Sequence, residues 1–340
     1  MSKATGDKKT SETASRPDEE YWVGFDLGGT KMLSIVFDKQ FNPIGRSRKK
    51  TKGFEGMEAG LKRINNVIAE SIEDAGIKAA DIKGLGIGCP GPLDFEKGQI
   101  REAPNLGWQK VPIRKSIEAE FGFHAEIAND VDAGVFGEYQ FGAGKKARCV
   151  VGIFPGTGVG GGCVYDGRLL RGKNSSCMEV GHIPLLPGGS LDGAGNPGSL
   201  ESVASRLTIA GQAAQAAYRG AAPNLKEKAG TDVAQIRSGA ISQAIDAGDE
   251  SVKAIVLDAC HYLGLSVVTL VHLLAPDVVI FGGGLIEAMP DLMLKEIEKV
   301  ARPRILASMR DGFEIVEAKL GDNAGVMGAA ALARQAVAKS

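Results

Sequence analysis

The stretch YWVGFDLGGTKMLSIVF, residues 21–37, decides the reading of the chain. Two apolar, β-rich runs flank Asp26-Leu27-Gly28-Gly29-Thr30-Lys31, and a Gly-Gly turn between such runs predicts a hairpin. Working outward, 41–47 reads as a third strand. Residues 57–75 read as a helix with Leu61, Ile64, Val67, Ile68 and Ile72 on one face. A strand over 84–87 enters Gly88-Cys89-Pro90-Gly91-Pro92, which reads as a loop. A helix over 113–121 and a strand over 125–128 follow, and Asn129 opens a helix running to Tyr139.

The second half repeats the scheme. A strand over 149–154 meets the glycine loop 156–162, and Cys163-Val164-Tyr165-Asp166-Gly167-Arg168 reads as another hairpin. From Leu200 the pattern is helical, longest over 251–274, where apolar residues on several faces predict burial. Pro276 stops that helix, a strand spans 278–281, Gly282-Gly283-Gly284 turns into another helix, and an Ala-rich helix covers 324–338. The expected organisation is a polar, disordered tail over 1–20, an α/β domain over 21–128 and a second over 129–321. The last helix, 322–340, packs back on the first domain, and a cleft lies between the two.

The 340 residues suit two cores, and 44% hydrophobic with 24% charged residues is ordinary globular composition. The 40 basic and 41 acidic residues nearly cancel, which gives no reason to expect a nucleic-acid partner. Five scattered cysteines without a CxxC pair suit a reducing compartment. The first twenty residues lack the apolar centre of a signal peptide, and no apolar run of about 20 residues is evident. The expectation is a soluble, cytoplasmic protein with no membrane contact.

Glycine lets backbone N–H groups approach phosphate oxygens with no Cβ in the way. Three turns offer this: Gly28, Gly29, Thr30 and Lys31; Gly156, Thr157 and Gly158 within 156–162; and Gly282, Gly283 and Gly284. A glycine turn between strands is ordinarily structural, but three across both halves point to a nucleotide. No GxxxxGK[ST] occurs, so a P-loop is excluded. Gly156-x-Gly158-x-x-Gly161 fits the dinucleotide fingerprint but leads into a strand instead of a helix. Hairpins cradling phosphates from both sides of a cleft are the arrangement of actin-like ATPases. A carboxylate beside a phosphate turn needs a cation between them, which assigns Asp26 to Mg²⁺, directly or through water; the plainer reading is a turn aspartate capping its own backbone.

Asn129-Asp130-Val131-Asp132 lies where a strand gives way to a helix. An N-cap is the ordinary reading, yet strand ends at a cleft are also where α/β folds hold ligands. A sugar hydroxyl attacking phosphorus is helped by a carboxylate that accepts its proton. Asp130 is the candidate base and Asn129 a hydroxyl contact, with Asp132 expected to be solvated or a cap. Glu179, His182 and Glu201 add polar groups whose meaning depends on a wider pattern.

That pattern resembles the ROK family of repressors and sugar kinases, over nearly all of 22–336. The carrying motifs are DLGGTK at Asp26, GIGCPGPLD at Gly86, NLGW at Asn105, NDVDAGVFGE at Asn129, GTGVGGG at Gly156, EVGH at Glu179, GNPGSLE at Gly195 and PDVVIFGGG at Pro276. The resemblance implies an actin-like (ribonuclease H-like) two-domain α/β fold and a homodimer. It also implies ATP with Mg²⁺ in the cleft and phosphorylation of a hexose, by default glucose at its 6-hydroxyl. It places the sugar on Asn129, Asp130, Glu179, His182 and Glu201, with Asp130 as base, and the loop at Gly91 and Asn105 along the pocket wall.

One departure stands out. Many family members bind zinc through the GH histidine and three cysteines of a CGCGxxGCLE loop. Here Asp192, Ala194 and Ser199 occupy the cysteine positions, so no zinc is expected, and His182 is free to donate to a sugar hydroxyl. Other readings remain open: another hexose or an N-acetylhexosamine as acceptor, polyphosphate as donor, or a non-catalytic sugar sensor. A transcription regulator would carry a winged helix of about 60–80 residues ahead of this region, whereas about twenty polar residues precede Tyr21.

Overall fold

The computed structural model describes residues 20–173 and 177–339; the tail expected over 1–20 lies outside the described residues except for Glu20. The opening hairpin forms as its sequence requires. Strand β1 (Tyr21–Leu27) pairs antiparallel with β2 (Lys31–Phe37), closing at Leu27↔Met32 across the Gly28-Gly29-Thr30 turn. Strand β3 (Pro43–Lys50) extends the hairpin outward. Helix α1 (Met57–Asp74) buries Ile64, Val67, Ile68 and Ile72, the face its periodicity marked. Strand β4 (Ile82–Cys89) then joins β1 in parallel.

Between β4 and the next long element lies a small sheet absent from the sequence reading: β5 (Leu93–Asp94), β6 (Gln99–Ala103) and β7 (Trp108–Val111). Helix α2 (Ile113–Phe121) leads to β8 (Ala125–Asn129), which completes a sheet of order β3-β2-β1-β4-β8. Helix α3 (Asp130–Phe141) crosses to a second sheet. That sheet holds β9 (Cys149–Pro155), β10 (Val159–Tyr165) and β11 (Arg168–Leu169).

Helices α4 (Leu200–Ala204), α5 (Arg206–Tyr218), α6 (Pro223–Ala229), α7 (Ser238–Asp246) and α8 (Glu250–Leu274) follow. Strand β12 (Val278–Phe281), helices α9 (Gly284–Ala288) and α10 (Pro290–Ala301), strand β13 (Glu314–Glu317) and helix α11 (Ala324–Val337) end the chain. The second sheet is ordered β11-β10-β9-β12-β13. In both sheets an antiparallel three-strand meander carries two parallel strands on its first strand's free edge, so one topology occurs twice.

Three cores hold these layers. One lies between β1, β4 and α1 around Phe25 and Ile68, and another between the second sheet and α8 around Val151, Val256 and Leu263. The third joins the two sheets: Phe136 of α3 packs with Trp22, Leu33, Val150 and Ile280 against Val326 and Ala329–Ala333 of α11. Full burial of one such aromatic stabilises by about 1.5–3 kcal/mol. Helix α11 sits directly on strand backbone. A Cβ at Gly24 would stand 1.9 Å from the Val326 carbonyl oxygen, and one at Gly86 1.8 Å from that of Ala329.

Several expectations need correction. Gly88 and Cys89 are not loop but the end of β4, where Cys89 pairs with Asn129. Gly160, Gly161 and Gly162 belong to β10, not to a phosphate loop. Glycine serves there as a packing gap: a Cβ would come within 2.7 Å of Val131 at Gly160 and 2.9 Å of Val135 at Gly162. Asp132 is 1% exposed, not solvated, with the Arg171 Nε at 3.8 Å. Helix α8 is long and apolar enough to cross a membrane, against the expected absence of such a run. Its apolar faces are taken up by the second core, where Val252, Val256, Leu263 and Val267 are buried. All five cysteines are free thiols.

Candidate active site

Parallel strands β1, β4 and β8 end on one edge, and their register sets the first cluster. Asp26 pairs with Gly88, and Gly88 with Ala128, two residues before Asp130. Glycine at 88 leaves the space between the carboxylates open: its Cβ would lie 3.5 Å from Asp130 Cα and 3.8 Å from Asp26 Oδ1. Gly325 of α11 faces Asp26 from the other side, with its Cβ position 3.7 Å from Asp26 Cγ. Burial, reinforced by the Asp130 charge, pushes the Asp26 carboxyl up to about 7.

Asp130 opens α3. Asn129 caps that helix, its Oδ1 accepting from the Val131 and Asp132 amides at 2.9 and 3.2 Å. The ordinary N-cap reading of Asn129 therefore holds, and its side chain also hydrogen-bonds the Asp130 carboxylate. Burial, aided by the Glu179 charge, raises the Asp130 pKa, and the Val131 amide bonded to its Oδ1 at 2.9 Å pulls the other way.

Two cavities meet this edge. The first, about 430 Å³, is lined by Asp26, Asp130, Gly283, Gly284, Glu287 and Asp322. The second, about 550 Å³, gathers Gly91, Asn105, Thr157, Gly158, Asp192 and Glu201. Gly91 has a φ of +83°, and a Cβ there would stand 1.9 Å from the Glu102 carbonyl oxygen. Both Glu201 oxygens are held, Oε2 by the Val159 amide and Oε1 by the Gly193 amide, each at 3.0 Å. Gly158 passes so close that its Cβ would lie 2.2 Å from Glu201 Oε2. The His182 Nδ1 bonds Asp192 Oδ2 at 2.8 Å. Burial works to lower the imidazole pKa, but the Asp192 hydrogen bond and charge outweigh it and leave it raised.

A third cavity, about 710 Å³, runs from Thr30 to Arg206, Val233, Arg237 and Ser238. Arg206 donates from Nη2 to Thr157 Oγ1 at 3.0 Å, and the exposed Arg237 side chain has no partner among the described residues. Lys31 bonds Asp322 at 3.1 Å, and Arg48 bonds the same carboxylate at 3.2 Å. These two cations hold the Asp322 pKa below the usual range, Lys31 most.

The structure therefore brings Asp26 and Asp130 to one cavity with Gly283 and Gly284. It gathers Gly91, Asn105 and Glu201 in a second with Thr157 and Gly158, and sets Thr30 on a third. Gly282 is a packing position, where a Cβ would lie 2.5 Å from the Phe154 ring. The sequence reading missed Arg206, Arg237 and Asp322, and it named Asp192 only at a lost cysteine position. The first three lie outside every motif that it quoted, and only the fold brings them to the cavities.

Mg²⁺ fits the first cavity, since a hard cation takes one or two carboxylates and completes its shell with phosphate oxygens, which Asp26 and Asp322 permit. Zinc does not fit the 192–199 loop. With Asp192, Ala194 and Ser199 where three thiolates would stand, the loop offers one carboxylate beside His182 and no soft ligand for a tetrahedral ion.

Comparison with known proteins places the chain in a family. The chain is 30% identical to a glucokinase of Halalkalibacterium halodurans over 93% of its own length and 96% of the relative's. It is similar to the crystal structure of a ROK hexokinase from Thermus thermophilus at a TM-score of 0.79 and 30% identity, covering 94% of this chain and 100% of that one. A ROK glucokinase from Streptomyces griseus in complex with glucose and AMPPNP matches at a TM-score of 0.79 and 31% identity, over 93% and 99% of the two chains. The ROK family model matches residues 22–336. With that match spanning both sheets and every cavity described, the chain belongs to the ROK family, whose sugar kinases share the actin-like ATPase fold.

Proposed function

We propose that this sugar kinase transfers the γ-phosphoryl group of ATP to the 6-hydroxyl of glucose, with Asp130 as general base. One observation carries the reading. Asp130 lines the cavity that holds Asp26, Gly283 and Gly284, and it also feels the charge of Glu179, a candidate sugar contact. It is thus the group that both sides of the reaction share. A base works best when its pKa approaches the operating pH, and burial moves Asp130 that way.

The hydroxyl gives its proton to the Asp130 carboxylate as oxygen forms its bond to phosphorus and the bond to the ADP oxygen breaks. Asn105, Asn129, Glu179, His182 and Glu201 would hold the other hydroxyls, with Gly91 along the wall. Thr30, Gly28 and Gly29 face the donor from one sheet and Gly283 and Gly284 from the other. Arg206, Arg237 and Ser238 would take the remainder of the nucleotide. Asp26 would hold Mg²⁺, which when bound neutralises charge on the phosphate oxygens.

The test is ADP release with MgATP and a panel of hexoses and N-acetylhexosamines, repeated with polyphosphate as donor. Glucose-dependent release is expected, and Asp130→Asn should lower kcat by about 10²- to 10⁴-fold with little change in sugar KM. Wild-type turnover in the variant removes Asp130 as base. Sugar binding without any turnover would favour the sensor.

A further inference from the structure

The 182–201 region is built around one carboxylate. Asp192 Oδ1 accepts from the backbone amides of Ala194 and Asn196 at 2.9 and 2.8 Å. Its Oδ2 takes the Ser199 hydroxyl at 2.8 Å, the His182 Nδ1 at 2.8 Å and the Asn196 side-chain amide at 3.4 Å. The loop around it is exposed, yet the Asp192 side chain is 0% exposed. A carboxylate offers about four lone-pair sites and no proton, so this donor set saturates it, and donors to an ionised acceptor bind roughly twice as strongly as neutral pairs.

Two routes lead from this hub to the acceptor pocket. Ser199, which donates to Asp192, also caps α4, the helix that carries Glu201. Gly193, the next residue, donates its amide to Glu201 Oε1. Asp192 and Glu201 line the same cavity. The hub also fixes a tautomer: an ionised Asp192 can only accept, so the proton of a neutral His182 sits on Nδ1. Nε2, which has no partner among the described residues, is left as an acceptor.

We infer that Asp192 is the positioning residue of the acceptor site. It does without a metal what a bound ion would do for this loop, and it presents His182 Nε2 to a sugar hydroxyl. This rests on the sugar-kinase reading, and it reverses the donor role expected of His182 from the family resemblance.

The test compares wild type with Asp192→Asn. An asparagine Oδ1 still accepts the two loop amides, but its Nδ2 opposes Nδ1–H and drives the His182 proton to Nε2. Side-chain ¹H–¹⁵N spectra of the sugar-free protein, assigned with His182→Gln and recorded at a pH above the raised His182 pKa so that the ring is neutral, should show Nδ1–H in wild type and Nε2–H in the variant. Sugar KM should rise at least tenfold with ATP KM unchanged, and wild type should carry no stoichiometric zinc and resist a zinc chelator. An Nε2–H tautomer in wild type, an unchanged sugar KM in the variant, or zinc whose removal abolishes activity would each overturn the inference. Should the variant not fold, the wild-type tautomer and zinc content still decide. A wild type that phosphorylates no hexose refutes the kinase reading and leaves those two readouts to judge this one.

Discussion

Removing the charge at position 26 should change how stability depends on pH, with a sign opposite to that of most carboxylates. Asp26 stands at about 7 in the folded protein against an ordinary value of 3.8, through burial and the Asp130 charge. Between those values the folded chain holds a proton that the unfolded chain has lost, so stability falls as pH rises. Each pH unit in this window is worth at most about 1.4 kcal/mol, and the whole window about 4 kcal/mol as an upper limit. Lys31 and Arg48 work against the shift, and the value of about 7 already includes their effect. Asp26→Asn keeps the shape and abolishes the titration. Urea unfolding of metal-free protein from pH 4.5 to 8 should show wild type losing stability relative to the variant as pH rises through the folded pKa of about 7, with the loss levelling off about one unit above it. Saturating Mg²⁺ should restore the wild type at pH 8, where Asp26 is ionised, and leave the variant unmoved. Parallel stability curves for the two proteins would refute the reasoning at its root, because the carboxyl would then be no more protonated folded than unfolded.

Two other substitutions probe the frame and the donor side. Gly86→Ala puts a methyl 1.8 Å from the Ala329 carbonyl oxygen, where backbone faces backbone, and should destabilise by about 1–3 kcal/mol in urea unfolding; a loss below about 0.5 kcal/mol would mean that α11 yields freely. Arg237→Ala removes an unpartnered cation from the cavity that reaches Thr30 and should raise ATP KM about tenfold without touching sugar KM. An unchanged ATP KM would place the nucleotide elsewhere.

What could be read in the chain beforehand was local. The first hairpin, the α1 stripe and the break at Pro276 are written in neighbouring residues, and they form where expected. The small sheet went unseen because its strands are 2, 5 and 4 residues long, too short for alternation to register. Asp132 looked solvated because its partner Arg171 is remote in sequence. Gly160 and Gly162 were misread for a related reason. A glycine run beside a phosphate turn looks like more of the same turn, and only the fold shows Val131 and Val135 pressed against it. Asp192 was seen as a lost ligand; its new role needed the positions of His182 and Ser199 in space.

The stretch Asn129–Glu138 shows how far a site motif exceeds its site. Asp130, Val131 and Gly134 line the first cavity, and Asn129 caps the helix beside it. Val131 and Val135 fill the gaps left by glycines of the second sheet, and a Cβ at Gly137 would lie 2.3 Å from the Ala324 carbonyl oxygen of α11. Glu138, fully buried, accepts the Lys319 and Leu320 amides at 2.8 and 2.7 Å, directly before the turn that carries Asp322. Helix α3 thus starts at the first sheet's edge, lies along the second sheet and ends by holding the loop whose aspartate pairs Lys31. Asp130, the 28–31 turn through Lys31, and the turn that carries Asp322 are tied to one helix. A change at Gly137 or Glu138, two to three turns from the chemistry, would shift Asp130 and Asp322 together. The placement of Asp130, the proposed base, is therefore set by small-residue packing that no catalytic motif would reveal.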